Sequence, residues 1–416
     1  MSSIISPQNP TEVLLIGGGF MANAHREAIN QSGLLRIVGG TFSSDPKKSH
    51  KIAEKFGVKG YGTVGEMFDA ERKKKVPQIV AILSPNSEHY LHFIQAVAAY
   101  ANPQIPLGIQ CEKPLCTDLK RAKHICDVVE DQQIPFVLTH SYSRLSMMVQ
   151  AGDLVAKGVL GDLIDWNENY IQGWMLPEDM AVWRLNSEKA GPSCVLGDLG
   201  THARYVLEQM IPNGKLKSVS ALLRRIHGRE LENYATVQGL LEMPNKELIP
   251  GTITVSNVSA GYPNGLSFAI RGTKGSLEYG LKDPEKLLLL RDTGPNMEYV
   301  RDPNRKFEVR SPGEVPDTHF YREIDGKRYA SMLSPAAIEA EWLPGEHPGG
   351  NYLRSKSNLY LGLLQMLDAK VQGKPIPQLG LPNHQSGRRG VAFVEAALKS
   401  DKLRLRNRNA YVLVQE

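Results

Sequence analysis

The sequence predicts an α/β protein in which a doubly wound parallel sheet precedes a second α/β domain with a large open, mainly antiparallel sheet. Strand-like and helix-like segments alternate from residue 12 to 140, a pattern typical of right-handed βαβ crossovers. From residue 163 the chain consists mostly of strand-like segments joined by short turns rich in Gly, Pro and Asn. We therefore predict two domains, residues 1–142 and 143–416.

The first predicted domain has five strands connected by four helices. Its first three strands are rich in Val, Ile and Leu, as expected when both faces of a parallel sheet are buried. The strands read EVLLIGGG, LRIVGGTF, PQIVAILSP, IPLGIQCEKP and PFVLTHSY. The helices read FMANAHREAINQSG, DPKKSHKIAEKFG, SEHYLHFIQAVAAYA and TDLKRAKHICDVVEDQQ. Because parallel strands point the same way, their carboxyl ends form one edge, where ligands of such sheets bind.

The second predicted domain is mostly strands with a few helices. Its strands read LIDWNENYIQGW, KSVSALLRRI, YATVQGLLEM, IPGTITVSNV, LSFAIRGTKGSLEY and KLLLLRD. Its helices read SMMVQAGDLVAKGVLG, DLGTHARYVLEQMI, SKSNLYLGLLQMLDAKVQG and QSGRRGVAFVEAALKS. Residues 283–350 are polar and rich in proline, which predicts loops. The two closing helices can pack on either domain as far as the pattern shows.

Composition excludes several classes of protein. A net charge of +5 spread over 416 residues does not indicate a nucleic-acid partner. No apolar run approaches the ~20 residues needed to cross a membrane, and the first residues lack the pattern of a secretory signal. The four cysteines show neither a CxxC pair nor a zinc-ligand spacing, so we predict no metal site. A cytoplasmic protein is the resulting expectation.

The stretch GGGFMA, which joins the first strand to the first helix, fits the pattern G-x-G-x-x-A. Gly17 permits the tight turn, Gly19 lets the backbone approach a diphosphate, and Ala22 allows close packing of helix on strand. Phe20 and Met21 lie between them at the helix N-terminus, whose N–H groups favour phosphate. The motif predicts a Rossmann domain that binds a dinucleotide.

The end of the second strand bears on the choice between NAD and NADP. An acidic residue there would bind the ribose hydroxyls of NAD, but the chain reads GGTFSSDPKK. Ser43 and Ser44 occupy the expected position, and with Lys47 they could bind the 2′-phosphate of NADP. Asp45 comes slightly later and is a plausible helix cap. The serines favour NADP, but both cofactors remain open.

Polar residues also follow the third strand, in the stretch LSPNSEHY. Ser84, Asn86 and His89 would lie at the carboxyl edge of the sheet, near the dinucleotide. His89 is equally consistent with an ordinary residue at the start of a helix.

The fourth strand ends in CEKP, an adjacent acid and base followed by proline. Pro114 restricts the backbone there and permits a cis bond. Lys113 would lie at the ligand-binding edge, where an ammonium group can bind a substrate oxygen and help to move its proton. Glu112 would balance this charge or contact the cofactor ribose. In isolation the pair would be an ordinary surface ion pair, but the upstream glycine motif favours a functional role.

In the second domain, GDLGTHARY places Asp198 and His202 four residues apart, on one face of a helix. A carboxylate and an imidazole in this arrangement can act as an orienting group and a base. A capped helix with a surface histidine would show the same spacing. The pair lacks an obvious third ligand for a metal.

We interpret two further histidines, His124 and His140, as structural.

Together GGGFMA, SPNSEH, CEKP and GDLGTH resemble the glucose–fructose oxidoreductase / inositol dehydrogenase / rhizopine-catabolism (Gfo/Idh/MocA) family of NAD(P)-dependent oxidoreductases. The stretches WRL at 183–185, GTKGSLEY at 272–279 and GRRGVAFVEAALKS near the end are also similar. The resemblance covers nearly the whole chain. It implies a Rossmann domain followed by an α/β domain whose open sheet mediates a homodimer or homotetramer.

The resemblance also implies roles for residues. His202 would be the acid/base for a substrate hydroxyl, Lys113 would polarise the oxygen, and Asp198 would orient the polar groups. Trp183 and Arg184 would contribute to the cofactor site. Hydride would pass between nicotinamide and a carbon of a sugar, polyol or sugar derivative. The stretch AGPSCVLGD departs from the family's glycine pair before the Asp motif, which affects the adjoining loop.

Aromatic and amide side chains predict where such a substrate binds. Tyr142 and the stretch NENYIQGW, with Gln172 and Trp174, combine ring faces with hydrogen-bonding groups, which suits polyhydroxylated rings. Sheet packing is an alternative role for Trp166 and Trp174.

Two other functions are compatible with this fold. A non-catalytic, cofactor-binding regulator would tolerate loss of Lys113 or His202, and both are present. A glycosidase that uses NAD as a bound redox helper would show no net change in NADH.

Overall fold

A computed structural model of the chain describes residues 3–101, 105–293, 296–301, 320–324, 327–330, 350–406 and 410–415. The chain forms two compact units, each made of two segments. The first unit comprises Met1–Ser141 and Tyr352–Arg388, and the second comprises Tyr142–Asn351 and Arg389–Glu416.

Helices and strands alternate in the first third of the chain, and strands dominate the second unit. The helices are α1 (Phe20–Gln31), α2 (Pro46–Phe56), α3 (Val64–Glu71), α4 (His89–Ala101), α5 (Leu119–Asp131), α6 (Ser146–Ala156), α7 (Ser187–Ala190), α8 (Thr201–Met210), α9 (Gly350–Val371) and α10 (His384–Arg404). The strands are β1 (Thr11–Ile16), β2 (Leu35–Thr41), β3 (Lys59–Gly60), β4 (Gln78–Ile82), β5 (Leu107–Cys111), β6 (Phe136–Leu138), β7 (Leu163–Ile171), β8 (Lys215–Arg224), β9 (Tyr234–Glu242), β10 (Leu248–Ser256), β11 (Gly265–Gly272), β12 (Gly275–Gly280), β13 (Lys286–Arg291), β14 (Met297–Arg301), β15 (Phe320–Ile324), β16 (Lys327–Ala330) and β17 (Val412–Leu413).

The first unit contains a parallel sheet with the strand order β3-β2-β1-β4-β5-β6. The order of the strands reverses between β1 and β4, which creates the crevice where dinucleotides bind in doubly wound sheets. The predicted Rossmann fold is therefore confirmed. The sequence-based prediction did not include β3 or α3. A strand of two residues such as β3 is too short to show a period, and α3 has only eight residues.

The core of the first unit contains part of the far C-terminal segment. Leu359, Leu363 and Leu367 of α9 repeat every four residues and pack in one cluster with Val13 and Leu15 of β1. Burial of this leucine stripe explains why residues 352–388 belong to the first unit. The sequence-based boundary at residue 142 had assigned them to the second domain.

The described part of the second unit contains a sheet with the order β16-β15-β14-β13-β12-β11-β7-β10-β9-β8-β17. Neighbouring strands are antiparallel except β7 and β10, which run parallel. Helix α8 packs against β7 and β10, and α6 packs on α8. A large, mainly antiparallel sheet in an α/β unit was predicted, and the structure confirms it.

Two details of the second sheet differ from the prediction. The stretch LSFAIRGTKGSLEY, predicted as one strand, is the hairpin β11–β12. The predicted strand KLLLLRD is β13, whereas the prediction of loops over residues 283–350 is wrong for β14, β15 and β16, which extend the sheet at one edge. A strand with one solvated face can be polar, so composition did not reveal these strands. The remaining parts of 302–349 lie outside the described residues.

Within the described ranges, no helix is both long enough and apolar enough to cross a lipid bilayer. In the same part of the chain, no three His, Cys, Asp or Glu side chains lie close enough together to hold a metal ion. The four cysteines are buried, and none of them forms a disulfide within the described residues.

Candidate active site

The turn after β1 forms a cradle at the point where the strand order reverses. Gly17 has a φ of 110°, and a Cβ atom on it would lie 2.5 Å from the carbonyl oxygen of Leu83, just after β4. Gly19 has open space at its Cβ position, and no side chain caps α1, which begins after it. Ala22 is fully buried. A diphosphate fits here, since the turn excludes side chains and presents the N-terminus of a helix.

Phe20 and Met21 occupy the first turn of α1. The Phe20 side chain is 85% exposed, whereas Met21 is half-buried and its sulfur accepts a hydrogen bond from the Tyr352 hydroxyl at 3.6 Å. The exposed ring of Phe20 is available to contact a ligand that lies on this turn.

The end of β2 gives Asp45 a structural role. Its Oδ1 atom accepts hydrogen bonds from the backbone N–H groups of Lys47 and Lys48, at 2.9 and 3.3 Å, and so caps α2. Ser43 accepts from the N–H of Asp45, and Ser44 is exposed. Asp45 is thus engaged as a helix cap, and Ser43 and Ser44 precede it at this strand end.

The end of β4 is a buried polar cluster. Ser84 shares a hydrogen bond of 2.8 Å with Nδ1 of His92, and Asn86 is also buried. His89, the first residue of α4, has its two ring nitrogens 2.8 and 2.9 Å from the carbonyl oxygens of Pro114 and Ser84. His89 therefore connects the end of β4 to the turn after β5.

The turn after β5 carries Lys113, which is half-buried. The Lys113–Pro114 peptide bond is cis, as the sequence allowed. The N–H of Glu112 donates to the carbonyl of Ile82 at the end of β4, and the N–H of Lys113 donates to Oε2 of Glu112 at 3.2 Å. Both bonds place Lys113 at the carboxyl edge of the parallel sheet.

The carboxylate of Glu112 is buried in a group of residues that are far apart in the sequence. Its Oε1 atom lies 2.8 Å from Nε2 of His25 and 3.1 Å from Nζ of Lys356. Nδ1 of His25 lies 2.7 Å from the Tyr360 hydroxyl. Sequence reasoning missed His25, Lys356 and Tyr360, because no local pattern links α1 and α9 to the end of β5. The structure thus places a buried cation, Lys356, beside Glu112.

Neutral histidines are buried throughout the first unit. Burial lowers the pKa of His25 and His92 to about 4 and that of His140 to about 3, and the charges of Lys356, His89 and Lys113, respectively, reinforce this effect. Burial also lowers the pKa of His89. Below the ordinary pKa of 6.5 the unfolded chain binds protons that these rings do not bind, so stability falls as the pH falls from 6.5 towards 4.

We expect the variant His92→Asn to isolate this effect. Between pH 6.5 and 5, the free energy of unfolding of the unaltered protein should fall by about 1.5 kcal/mol relative to the variant, the value that follows from a pKa shift from 6.5 to about 4. Urea unfolding at a series of pH values measures the difference. A difference that does not change with pH would mean that His92 titrates normally in the folded state.

In the second unit, a wide π-helical turn at Leu196–Gly200 leads into α8 and carries Asp198. Such turns frequently occur at functional sites. Asp198 is buried, and its Oδ1 atom lies 3.1 Å from Nε of Arg184. The guanidinium group lies over the ring of Trp183, with 4.6 Å between its carbon and the ring centroid, and 5.8 Å from the centroid of Trp174. Arg184 thus holds the carboxylate of Asp198 within the second unit.

His202 is buried on α8, which excludes the alternative of a surface histidine. The edges of two tyrosine rings contact it, with centroid distances of 5.5 Å to Tyr142 and 5.9 Å to Tyr170. The two tyrosine hydroxyls share a hydrogen bond of 2.9 Å. Burial raises the pKa of Tyr142, so this hydroxyl keeps its proton at neutral pH.

A hydrogen-bonded chain continues from these tyrosines to Trp174. Asn264 donates to the Tyr142 hydroxyl at 2.9 Å, and Gln172 donates to the oxygen of Asn264 at 3.0 Å. The indole N–H of Trp174 donates to Gln172 at 2.8 Å, and the ring is 37% exposed. The predicted substrate residues Tyr142, Gln172 and Trp174 therefore belong to one network, to which the structure adds Tyr170 and Asn264.

A second carboxylate, Glu232, supports the turn that carries Asp198. Its Oε1 atom accepts hydrogen bonds from the Ser193 hydroxyl at 2.5 Å and from the N–H of Leu196 at 3.1 Å. The Ser193 oxygen in turn accepts from the N–H of Gly197 at 2.9 Å. Ser193 lies in the stretch that departs from the family pattern, and no motif marks Glu232, so sequence reasoning missed both.

The fold and these side chains define a two-unit oxidoreductase that binds a dinucleotide on a Rossmann sheet. A model of the Gfo/Idh/MocA oxidoreductases, described by their NAD-binding Rossmann fold, matches residues 11–140. A model of the C-terminal domain of the same family matches residues 148–278. The chain belongs to the Gfo/Idh/MocA family, which confirms the resemblance of its motifs.

Similar proteins cover between two thirds and nearly all of the chain. An uncharacterized oxidoreductase of Bacillus subtilis, YfiI, is 26% identical over 409 residues, 94% of this chain and 94% of that one. A levoglucosan dehydrogenase of Pseudarthrobacter phenanthrenivorans is 27% identical over 301 residues, 66% of this chain and 74% of that one. The crystal structure of an inositol dehydrogenase homolog complexed with NAD⁺, from Azotobacter vinelandii, has a TM-score of 0.80 at 23% identity and covers 97% of each chain. The structural likeness shows that the fold is shared.

Proposed function

We propose that this oxidoreductase is a sugar or polyol dehydrogenase, which transfers hydride between nicotinamide and a secondary alcohol or ketone of its substrate. The network around His202 carries this proposal. It combines hydroxyl, amide and indole groups with aromatic rings, and such groups suit a ligand with many hydroxyls. Relatives named as levoglucosan dehydrogenase and inositol dehydrogenase homolog support the same substrate class.

The reaction requires one group to bind the substrate oxygen and another to accept its proton. We assign the first role to Lys113, whose ammonium group can donate to an alcohol or ketone oxygen. We assign the second to His202, which is buried but bears an imidazole suited to proton transfer near neutral pH. Asp198 orients the polar groups and is itself held by Arg184. The bound coenzyme supplies the hydride acceptor or donor.

The diphosphate of the coenzyme is assigned to the first unit. Gly17, Gly19 and Ala22 provide the turn for the diphosphate, and Phe20 and Met21 border it. Further contacts are proposed for the side chains that follow β2 and β4 and for the family's Trp-Arg stretch. These are Ser43, Ser44, Ser84, Asn86, Trp183 and Arg184.

The family model is that of an NAD-binding fold, so NAD is the coenzyme we test first. NADP is the second candidate, because Ser43 and Ser44 stand where an acid would bind the ribose of NAD. The carboxylate of Asp45 accepts hydrogen bonds from the N–H groups of Lys47 and Lys48, and these bonds do not distinguish between the two coenzymes.

Two further properties are proposals that rest mainly on the sequence. A cytoplasmic location fits four buried cysteines that form no disulfide within the described residues. A homodimer or homotetramer fits the family resemblance, and exposed Leu222, Leu248 and Leu413 on the second sheet supply apolar surface for subunit contacts. The expected small-molecule partner is a carbohydrate, with neither nucleic acid nor membrane involved.

The test is a turnover assay with both coenzymes. Purified protein is mixed with NAD⁺ or NADP⁺ and a panel of sugars, polyols, anhydrosugars and lactones, and absorbance of the reduced nicotinamide is followed. We expect reduction with one sugar class and a preference for one coenzyme. Coenzyme binding without turnover across the panel would contradict the proposal. Glycoside cleavage without net NADH would then indicate the NAD-assisted glycosidase, and the absence of both reactions would indicate a regulator.

A further inference from the structure

The buried group around Glu112 contains more ionisable residues than the proposed reaction needs. Lys356, His25 and Tyr360 are each 0% exposed, although an isolated buried lysine is strongly destabilising. Lys356 and Tyr360 lie four residues apart on α9, on one face. They come to the end of β5 from a position more than 240 residues further along the chain. Such a group requires an explanation.

The hydrogen-bonding roles in this group follow from the chemistry of its members. A carboxylate oxygen only accepts, so Nε2 of His25 carries the proton that is donated to Glu112. In a neutral ring Nδ1 then accepts from the Tyr360 hydroxyl. Nζ of Lys356 lies 3.2 Å from the same Nε2 atom, so two donors face each other there. A positive charge on His25 would be repelled by the ammonium group.

The charges therefore balance when Lys356 is protonated, Glu112 is ionised and His25 is neutral. The pKa shifts of His25 and Glu112 agree with this state, and the charge and hydrogen bond of Glu112 counter the lowering of the pKa of Lys356 that burial causes. Burial and the charge of Lys356 lower the pKa of His25 to about 4. Burial alone would raise the pKa of Glu112, but Lys356 and His25 hold it well below its ordinary value.

The balanced group is connected to the proposed catalytic lysine. The second oxygen of Glu112, Oε2, accepts the hydrogen bond from the backbone N–H of Lys113. We propose that Lys356 is a positioning residue for Lys113: its ammonium group neutralises the buried Glu112 carboxylate, keeps His25 uncharged and so fixes the backbone that carries Lys113. This inference rests on the proposed function of Lys113. It adds a second cation beside Glu112, for which the sequence suggested a balance with Lys113 or a contact with the cofactor ribose.

Other ionisable groups also surround Glu112. They lie on β5 and the turn after it, at the start of α4, after β6 and on α9. They are Cys111, Lys113, His89, His140 and Tyr360. Lys356 is fully buried, and its Nζ atom lies 3.1 Å from Oε1 of Glu112, so it contacts the carboxylate directly. The charge of Lys113 also lowers the pKa of Glu112, but less than that of Lys356.

The test replaces the cation and follows the titration of His25. In Lys356→Met the lowest-cost compensation is protonation of His25, which already contacts Glu112. We expect the pKa of His25 to rise by about two units or more, as measured by NMR of ¹³C,¹⁵N-labelled histidine without coenzyme or substrate. The spectrum of His25→Asn assigns the signal. Lys370→Met, on the same helix but bonded to the carbonyl oxygens of Gln132 and Gln133, is the matched control and should leave His25 unchanged.

Turnover should report the same protonation. Below the new pKa of His25 in Lys356→Met, the imidazolium replaces the ammonium group and kcat stays close to normal. Above it, Glu112 lacks a cation, the turn shifts, and we expect kcat to fall about 10- to 100-fold, since small displacements of a reacting group are costly. A kcat loss that is the same at every pH would overturn the positioning role.

The protonation of His25 in the unaltered protein provides a second test. If Lys356→Met does not fold, the unaltered protein decides, because its His25 should be neutral with the proton on Nε2 down to about pH 5. An imidazolium at pH 7 would overturn the proposal, as would an unchanged His25 titration in Lys356→Met. If the pKa of His25 rises in Lys356→Met as expected but the unaltered protein has no dehydrogenase activity, only the proposed function is contradicted.

Discussion

Replacing Lys113 with alanine is expected to lower kcat by about 10²- to 10⁴-fold while coenzyme binding is largely retained. The side chain donates to the substrate oxygen in the proposed mechanism, whereas the coenzyme turn at Gly17 and Gly19 is formed by backbone. Steady-state kinetics measure kcat, and quenching of protein fluorescence measures the dissociation constant of NAD⁺.

Lys120→Ala is the control for this experiment, because Lys120 is exposed at the start of α5, seven residues further along. It should behave as the unaltered protein. Lys113→Arg keeps the positive charge but not a proton that can be transferred, so its kcat should lie between those of the alanine variant and the unaltered enzyme. Full activity of Lys113→Ala would exclude the proposed mechanism.

The second large effect is expected at His202. His202→Gln retains a polar side chain of similar reach but cannot take up a proton, so kcat should fall by about 10²- to 10⁴-fold near neutral pH. The loss in oxidation should shrink as the pH rises, because solvent base increasingly replaces the imidazole. The measurement is kcat for alcohol oxidation by the variant and by the unaltered protein, from about pH 6 to about pH 10.

The control for His202 is His124→Gln. The His124 ring is exposed on α5, shares a hydrogen bond of 2.8 Å with the Tyr90 hydroxyl, and has no role in the proposed reaction. It should leave the pH profile unchanged. If His202→Gln and His124→Gln gave the same profile, His202 would be a packing residue between Tyr142 and Tyr170 and another base would be required.

Local signals were sufficient to predict the first sheet. Apolar strands, helical periods and the glycine turn after β1 are patterns of near neighbours, and the parallel topology follows from their alternation. Those signals also placed Gly17, Ser84 and Lys113 at the ends of β1, β4 and β5. The strand order reverses between β1 and β4, and β5 lies next to β4. They did not show that α9 completes the core of the first unit, because a leucine stripe fits any apolar surface of matching shape.

By itself, the sequence determined the class of fold, the dinucleotide turn and the residues proposed to react, since each of these is written in short motifs. Only the tertiary structure decided which groups surround them. Arg184 reaches Asp198, Asn264 joins Tyr142 and Gln172, and Lys356 neutralises Glu112. These partners come from distant segments that folding brings together. Buried polar groups must find partners of complementary charge or hydrogen bonding wherever the fold supplies them, and that choice is invisible to any local pattern.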